Sequence, residues 1–110
     1  MEITVRVESG ICGMETDVIL RGSLEEGYEI GLTSPCPLVQ SLEPRLQEMD
    51  ALMAAVGRLS QNPVFQAAEA NKLHTACPVP IGLVKAFEVF CDLALPADVE
   101  ITIEKQGKQS

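Results

Sequence analysis

The chain has 110 residues, 46% hydrophobic and 22% charged, a balance that fits one globular domain with its own core and excludes a disordered or fibrous chain. Sixteen Asp and Glu stand against eight Lys and Arg. The net charge of −8 would repel a phosphate backbone or an anionic membrane surface, so neither nucleic acid nor membrane is an expected partner.

Ile3, Val5 and Val7 alternate with Thr4, Arg6 and Glu8, the period of a strand with one buried face. Ser9-Gly10 breaks it, and a run from Thr16 to Arg21 supplies a hairpin partner. After a polar turn from Gly22 to Gly27, Tyr28, Ile30 and Leu32 alternate with Glu29, Gly31 and Thr33 in a third strand. Leu42, Leu46, Met49, Met53 and Val56 then recur at helical spacing. They predict a main helix with Pro44 in its first turn, a short turn from Pro37 before it and Gly57 at its end.

Asn62-Pro63 starts a second helix through about Lys72. Pro78 opens a third, closed by Pro96, that turns Leu83, Val84, Phe87, Phe90 and Cys91 inward. Val99, Ile101 and Ile103, alternating with Glu100, Thr102 and Glu104, predict a fourth strand. The expected fold is an α+β two-layer sandwich over residues 1–104: a mostly antiparallel four-stranded sheet, built from a three-strand meander plus the C-terminal strand, covered on one face by about three helices. Residues 105–110 form a polar tail.

The opening Met-Glu-Ile-Thr-Val-Arg-Val has neither the basic stretch nor the apolar run of a signal peptide, and no segment approaches the roughly 20 apolar residues of a membrane span. A cytoplasmic location is expected, where four cysteines read as reduced thiols, metal ligands or buried hydrophobes before disulfides. Three stand at breaks between elements: Cys12 in Ile-Cys-Gly, Cys36 in Ser-Pro-Cys-Pro, and Cys77 in His-Thr-Ala-Cys-Pro-Val-Pro. These loops can open at one end of a sheet-and-helix sandwich.

Proline after Cys36 and after Cys77 predicts both thiols at helix N-caps, where free N–H groups and the helix dipole favour thiolate. His74 lies three residues before Cys77, within reach of a shared ion. Cys12, Cys36, His74 and Cys77 are therefore the candidate metal ligands, a donor set suited to zinc, while thiolates also hold iron–sulfur clusters. A thiol carrier without metal and plainly structural cysteines remain open readings of the same residues. Cys91, on the apolar face of the last helix, reads as core. Lys85 and Glu88 read as a solvated pair.

No nucleophile elbow, zinc-protease helix, phosphate-binding glycine loop or dinucleotide fingerprint occurs, so no reaction is assigned. Few aromatic residues and no Trp leave little for stacking bases or sugars. A protein partner and the oligomeric state are open. Ile11-Cys12-Gly13, Cys36, His74-x-x-Cys77-Pro78-Val79-Pro80, Lys85, Glu88 and Leu93-Ala94-Leu95-Pro96 together resemble a family of small uncharacterised proteins from methanogens and anaerobic bacteria. That resemblance spans nearly the whole chain and implies an anaerobic setting without an activity. Over Cys77 to about Ile103, Cys-Pro-x-Pro opening a helix is similar to TusA-type sulfur carriers, which implies a persulfide on Cys77. Those carriers place the motif after their first strand, whereas here three strands and two helices precede it.

Overall fold

The computed structural model describes residues 1–107. Strands β1 (Glu2–Glu8), β2 (Glu15–Ser23) and β3 (Gly27–Thr33) form an antiparallel meander in the order β1-β2-β3. Val5 faces Val18, and Val18 faces Leu32. Gly22 closes the sheet at the β2–β3 turn with φ +131, and a Cβ there would stand 2.1 Å from the Gly27 carbonyl oxygen, so only glycine fits. The inner face carries Val7, Val18, Leu20, Ile30 and Leu32, all buried, while Arg6, Asp17, Arg21 and Glu2 form exposed ion pairs on the outer face.

Five short helices cover the inner face: α1 (Pro37–Gln40), α2 (Glu43–Leu46), α3 (Ala51–Val56), α4 (Pro63–Ala70) and α5 (Val79–Phe90). The expected main helix is therefore divided, and the reason is not local. Tyr28, on β3, donates its hydroxyl to the Leu46 carbonyl and accepts the Met49 N–H at 2.8 Å, satisfying the backbone groups that a continuing helix would have paired. Asp50 then restarts the helical backbone as an N-cap, its carboxylate accepting from Leu52 and Met53 N–H. The rotation this introduces leaves Met53 and Val56 exposed and buries Ala54 and Ala55 in their place.

Asn62 joins two helices. Buried to 3% exposure, its side chain accepts the Val64 N–H at 2.8 Å to cap α4 and donates to the Ala54 carbonyl at 2.7 Å near the end of α3. Both α4 and α5 end in reciprocal 6→1 and 5→2 hydrogen bonds, with Lys72 and Asp92 at positive φ. The second of these ends α5 at Phe90, six residues short of Pro96, so Pro96 lies beyond the helix that it was expected to close.

Helix α5 runs the length of the sheet. A Cβ on Gly82 would meet Val7 Cγ2 at 2.7 Å, so the start of the helix rests directly on β1. Its later residues Phe87 and Phe90 stand edge-on to Tyr28, with ring centroids 5.3 and 6.0 Å away. Leu83, Phe87, Phe90 and Cys91 are buried in the common core, as expected from their spacing, Ala86 is buried with them, and Val84 packs against its margin.

The fourth strand is absent among the described residues. Residues 94–106 carry no helix or strand, and Val99, Ile101 and Ile103 are 50%, 70% and 88% exposed. The period-two pattern is intact, but no partner strand lies beside it, and an isolated strand gains no ladder hydrogen bonds. Residues 108–110 of the expected tail lie outside the described residues.

Candidate functional site

The three loop cysteines are positioned from one end of the sheet, where β1 finishes, β2 begins and β3 finishes. Cys12 closes a single 3₁₀ turn, Gly10–Cys12, held by Gly13 N–H on the Gly10 carbonyl at 2.8 Å and by Ser9 N–H on the Met14 carbonyl at 3.2 Å. Its side chain is exposed.

Cys36 is anchored to the same end through hydroxyls. Buried Thr16, at the start of β2, donates to Ser34 Oγ at 2.9 Å, and Ser34 Oγ accepts the Cys36 N–H at 3.2 Å. Gln40 accepts the Ser34 N–H at 2.9 Å and fixes the loop from the other side. Cys36 is the N-cap of α1, in extended conformation with Pro37 following, as the Cys-Pro pair predicts. Thr16 and Ser34 were not singled out from the sequence. The signal was Ser34-Pro35, a dipeptide that favours a turn closed by the serine hydroxyl.

Cys77 reaches this end because α5 begins against Val7, the β1 residue opposite Thr16. The N-cap of α5 is Pro78, not Cys77, so the thiol stands one position earlier than expected. The Val79 backbone N–H still acts on the thiol, favouring its ionised form. The expected thiolate character is corrected here: burial pushes the Cys77 thiol up, the Val79 N–H opposes that only in part, and the nearby Cys36 and Cys12 side chains raise it further. The donors at the helix start are outweighed by the apolar surroundings that Cys77 shares with the core margin.

His74 carries the turn into this segment, its carbonyl accepting the Cys77 N–H at 3.0 Å, while its side chain is exposed. Cys36 and Cys12 thus both lie near enough to Cys77 to act on its thiol, and His74 is exposed on the adjoining turn. Among the described residues, no group of three or more His, Cys, Asp or Glu stands close enough to hold a metal ion as placed. Cys91 is buried at the far end of α5, where burial raises its thiol as well, in keeping with a core residue. Lys85 and Glu88 form the expected exposed pair at 3.9 Å.

Two open concavities lie away from the thiols. One of about 420 Å³ sits beside Tyr28 and Phe90. The other, of about 820 Å³, lies between α2 and α4, and neither contains Cys or His. Among the described residues, no helix is long and apolar enough to cross a membrane.

Residues 3–103 match a family of unknown function (DUF6951). The chain belongs to that family. No curated protein and no solved structure matches it. The match covers all three loop cysteines, His74 and the segment expected as the fourth strand.

Proposed function

We propose that Cys12, Cys36 and Cys77, with His74, bind a soft metal ion, zinc in the first instance, or an iron–sulfur cluster, in a cytoplasmic, anaerobe-type setting. The observation that supports this reading is the delivery of three thiols from three separate loops to one end of the sheet. A soft cation would displace the protons of thiols held at one end of the sheet and bind the thiolates so formed. In this reading the Cys12 turn, whose side chain is exposed, closes onto Cys36 and Cys77, and His74 supplies the fourth donor.

Element analysis of anaerobically purified protein tests the proposal. Stoichiometric zinc or iron, lost on replacing any of the three cysteines by serine, is the expected result. Metal content near zero in every preparation, with melting unchanged by a chelator, sinks it.

The position of Cys77 just before α5, where the Val79 N–H favours its ionised form, supports a second reading, a sulfur carrier like those the Cys-Pro-x-Pro motif resembles. There the Cys77 thiolate attacks the terminal sulfur of a donor persulfide, forming a new S–S bond and releasing the donor thiolate. The raised Cys77 thiol weighs against it, because the thiolate is the attacking form. Mass spectrometry after incubation with a sulfurtransferase and cysteine decides: a gain of about 32 Da on Cys77, one sulfur atom, supports the carrier, and its absence removes it.

A further inference from the structure

The two edges of the sheet are finished differently. Along β3, side chains from the first two helices take the outward backbone groups: Glu43 Oε2 accepts the Leu32 N–H, Gln40 Nε2 donates to the Leu32 carbonyl, and Gln47 Nε2 donates to the Ile30 carbonyl, each at 2.8 Å. That edge is closed to further pairing.

Along β1 nothing equivalent is present among the described residues. Gly22 N–H bonds to the Met1 carbonyl and Ser9 N–H to the Met14 carbonyl, which places the odd-numbered residues of β1 in the hydrogen-bonded pairs with β2. The N–H and C=O groups of Thr4 and Arg6 consequently point outward from an open edge. The apolar row beneath that edge is also incomplete, since Ile3 and Val5 are only half-buried while Ile30 and Leu32 on the opposite strand are 5% and 3% exposed.

The same chain carries a strand-patterned segment that meets this need. Residues 99–103 lie within the family match, alternate apolar and polar, and leave Val99, Ile101 and Ile103 exposed, in a chain whose longest extent is 58 Å against 28 and 25 Å across. We propose that residues 98–104 of one copy add as the fourth strand to the β1 edge of a second copy, and reciprocally, forming a strand-exchanged dimer.

An antiparallel register with Ile101 opposite Val5 sets Val99 against Val7 and Ile103 against Ile3 on the inner face. On the outer face it sets Glu100 against Arg6 and Thr102 against Thr4, and Glu104 falls beside the Glu2–Arg21 pair. The same register brings the outward groups of Thr4 and Arg6 into the hydrogen-bonded positions. The β3 edge offers no such match, because its groups are taken and its outer row presents Glu29 to the acidic segment.

Sedimentation equilibrium of the full chain tests this, and the expected mass is twice 11.9 kDa. Ile101→Asp spoils the added strand and Thr4→Pro removes an outward N–H at an edge position where proline is tolerated, so each variant alone is expected to sediment at the single-chain mass. Mixed together, they should regain a dimer, because one copy supplies the intact strand and the other the intact edge. A wild-type monomer at all concentrations overturns the proposal. So does a monomer in which the amides of 99–103 are protected from exchange, which means the segment pairs with its own β1. Failure of the two variants to complement, with both folded by circular dichroism, overturns it as well.

Discussion

The two ends of the sheet differ in how their polar and reactive groups are treated. At the Tyr28 end, one phenol sits edge-on to Phe87 and Phe90, and its hydroxyl resolves the helix break between Leu46 and Met49. At the cysteine end, three thiols are carried on loops, and Cys36 makes no side-chain capping bond. The first end is arranged as a closed structural joint. The second carries its thiols on separate loops and makes no comparable joint with them.

The comparison predicts that substitutions at the two ends separate into stability effects and binding effects. Phe87→Ala removes a fully buried ring and should cost about 3–5 kcal/mol in denaturant unfolding, the largest effect. Tyr28→Phe leaves the Met49 N–H and Leu46 carbonyl without their partner and should cost about 1–3 kcal/mol. Asn62→Ala, which uncaps α4 and strips the Ala54 carbonyl, should fall in the same range of about 1–3 kcal/mol. Cys12→Ser, on an exposed side chain, should change stability by no more than about 0.5 kcal/mol while reducing metal uptake. A Cys12→Ser protein as destabilised as Tyr28→Phe would erase the distinction.

Alkaline pH probes the closed end by itself. Burial, aided by Asp50 and Glu48 and opposed by the backbone contact with Met49, raises the Tyr28 phenol above its ordinary value near 10. A group raised in the folded state contributes stability that is complete below its unfolded value and is lost as pH climbs through its folded value. Unfolding free energy should therefore hold its Tyr28 contribution up to about pH 10 and lose it above that, and Tyr28→Phe should lack this component. With a single Tyr in the chain, tyrosinate absorbance reports the titration directly.

The elements legible from sequence are those whose signals are local. β1, β2 and β3 follow from period-two alternation, and α4 from Asn62-Pro63, because strand faces and caps depend on neighbouring residues. The division of the helical stripe at Met49 was not legible, since its cause is a hydroxyl 21 residues earlier. The 99–103 pattern was readable as strand but its partner was not, because pairing needs an open edge that only the assembled sheet defines. At the site, proline spacing located Cys36 and Cys77 near helix starts. The sequence did not carry the burial that pushes the Cys77 thiol up, nor the Thr16–Ser34 link that sets Cys36 in place.

The central claim is that the loop cysteines act together on one metal ion, and an anaerobic zinc titration against a competing chelator measures it most directly. Uptake of about one zinc per chain, with a raised melting temperature, abolished in Cys12→Ser, Cys36→Ser and Cys77→Ser and retained in Cys91→Ser, is the predicted result. Uptake that is absent, or that survives each of the three loop substitutions, would contradict it.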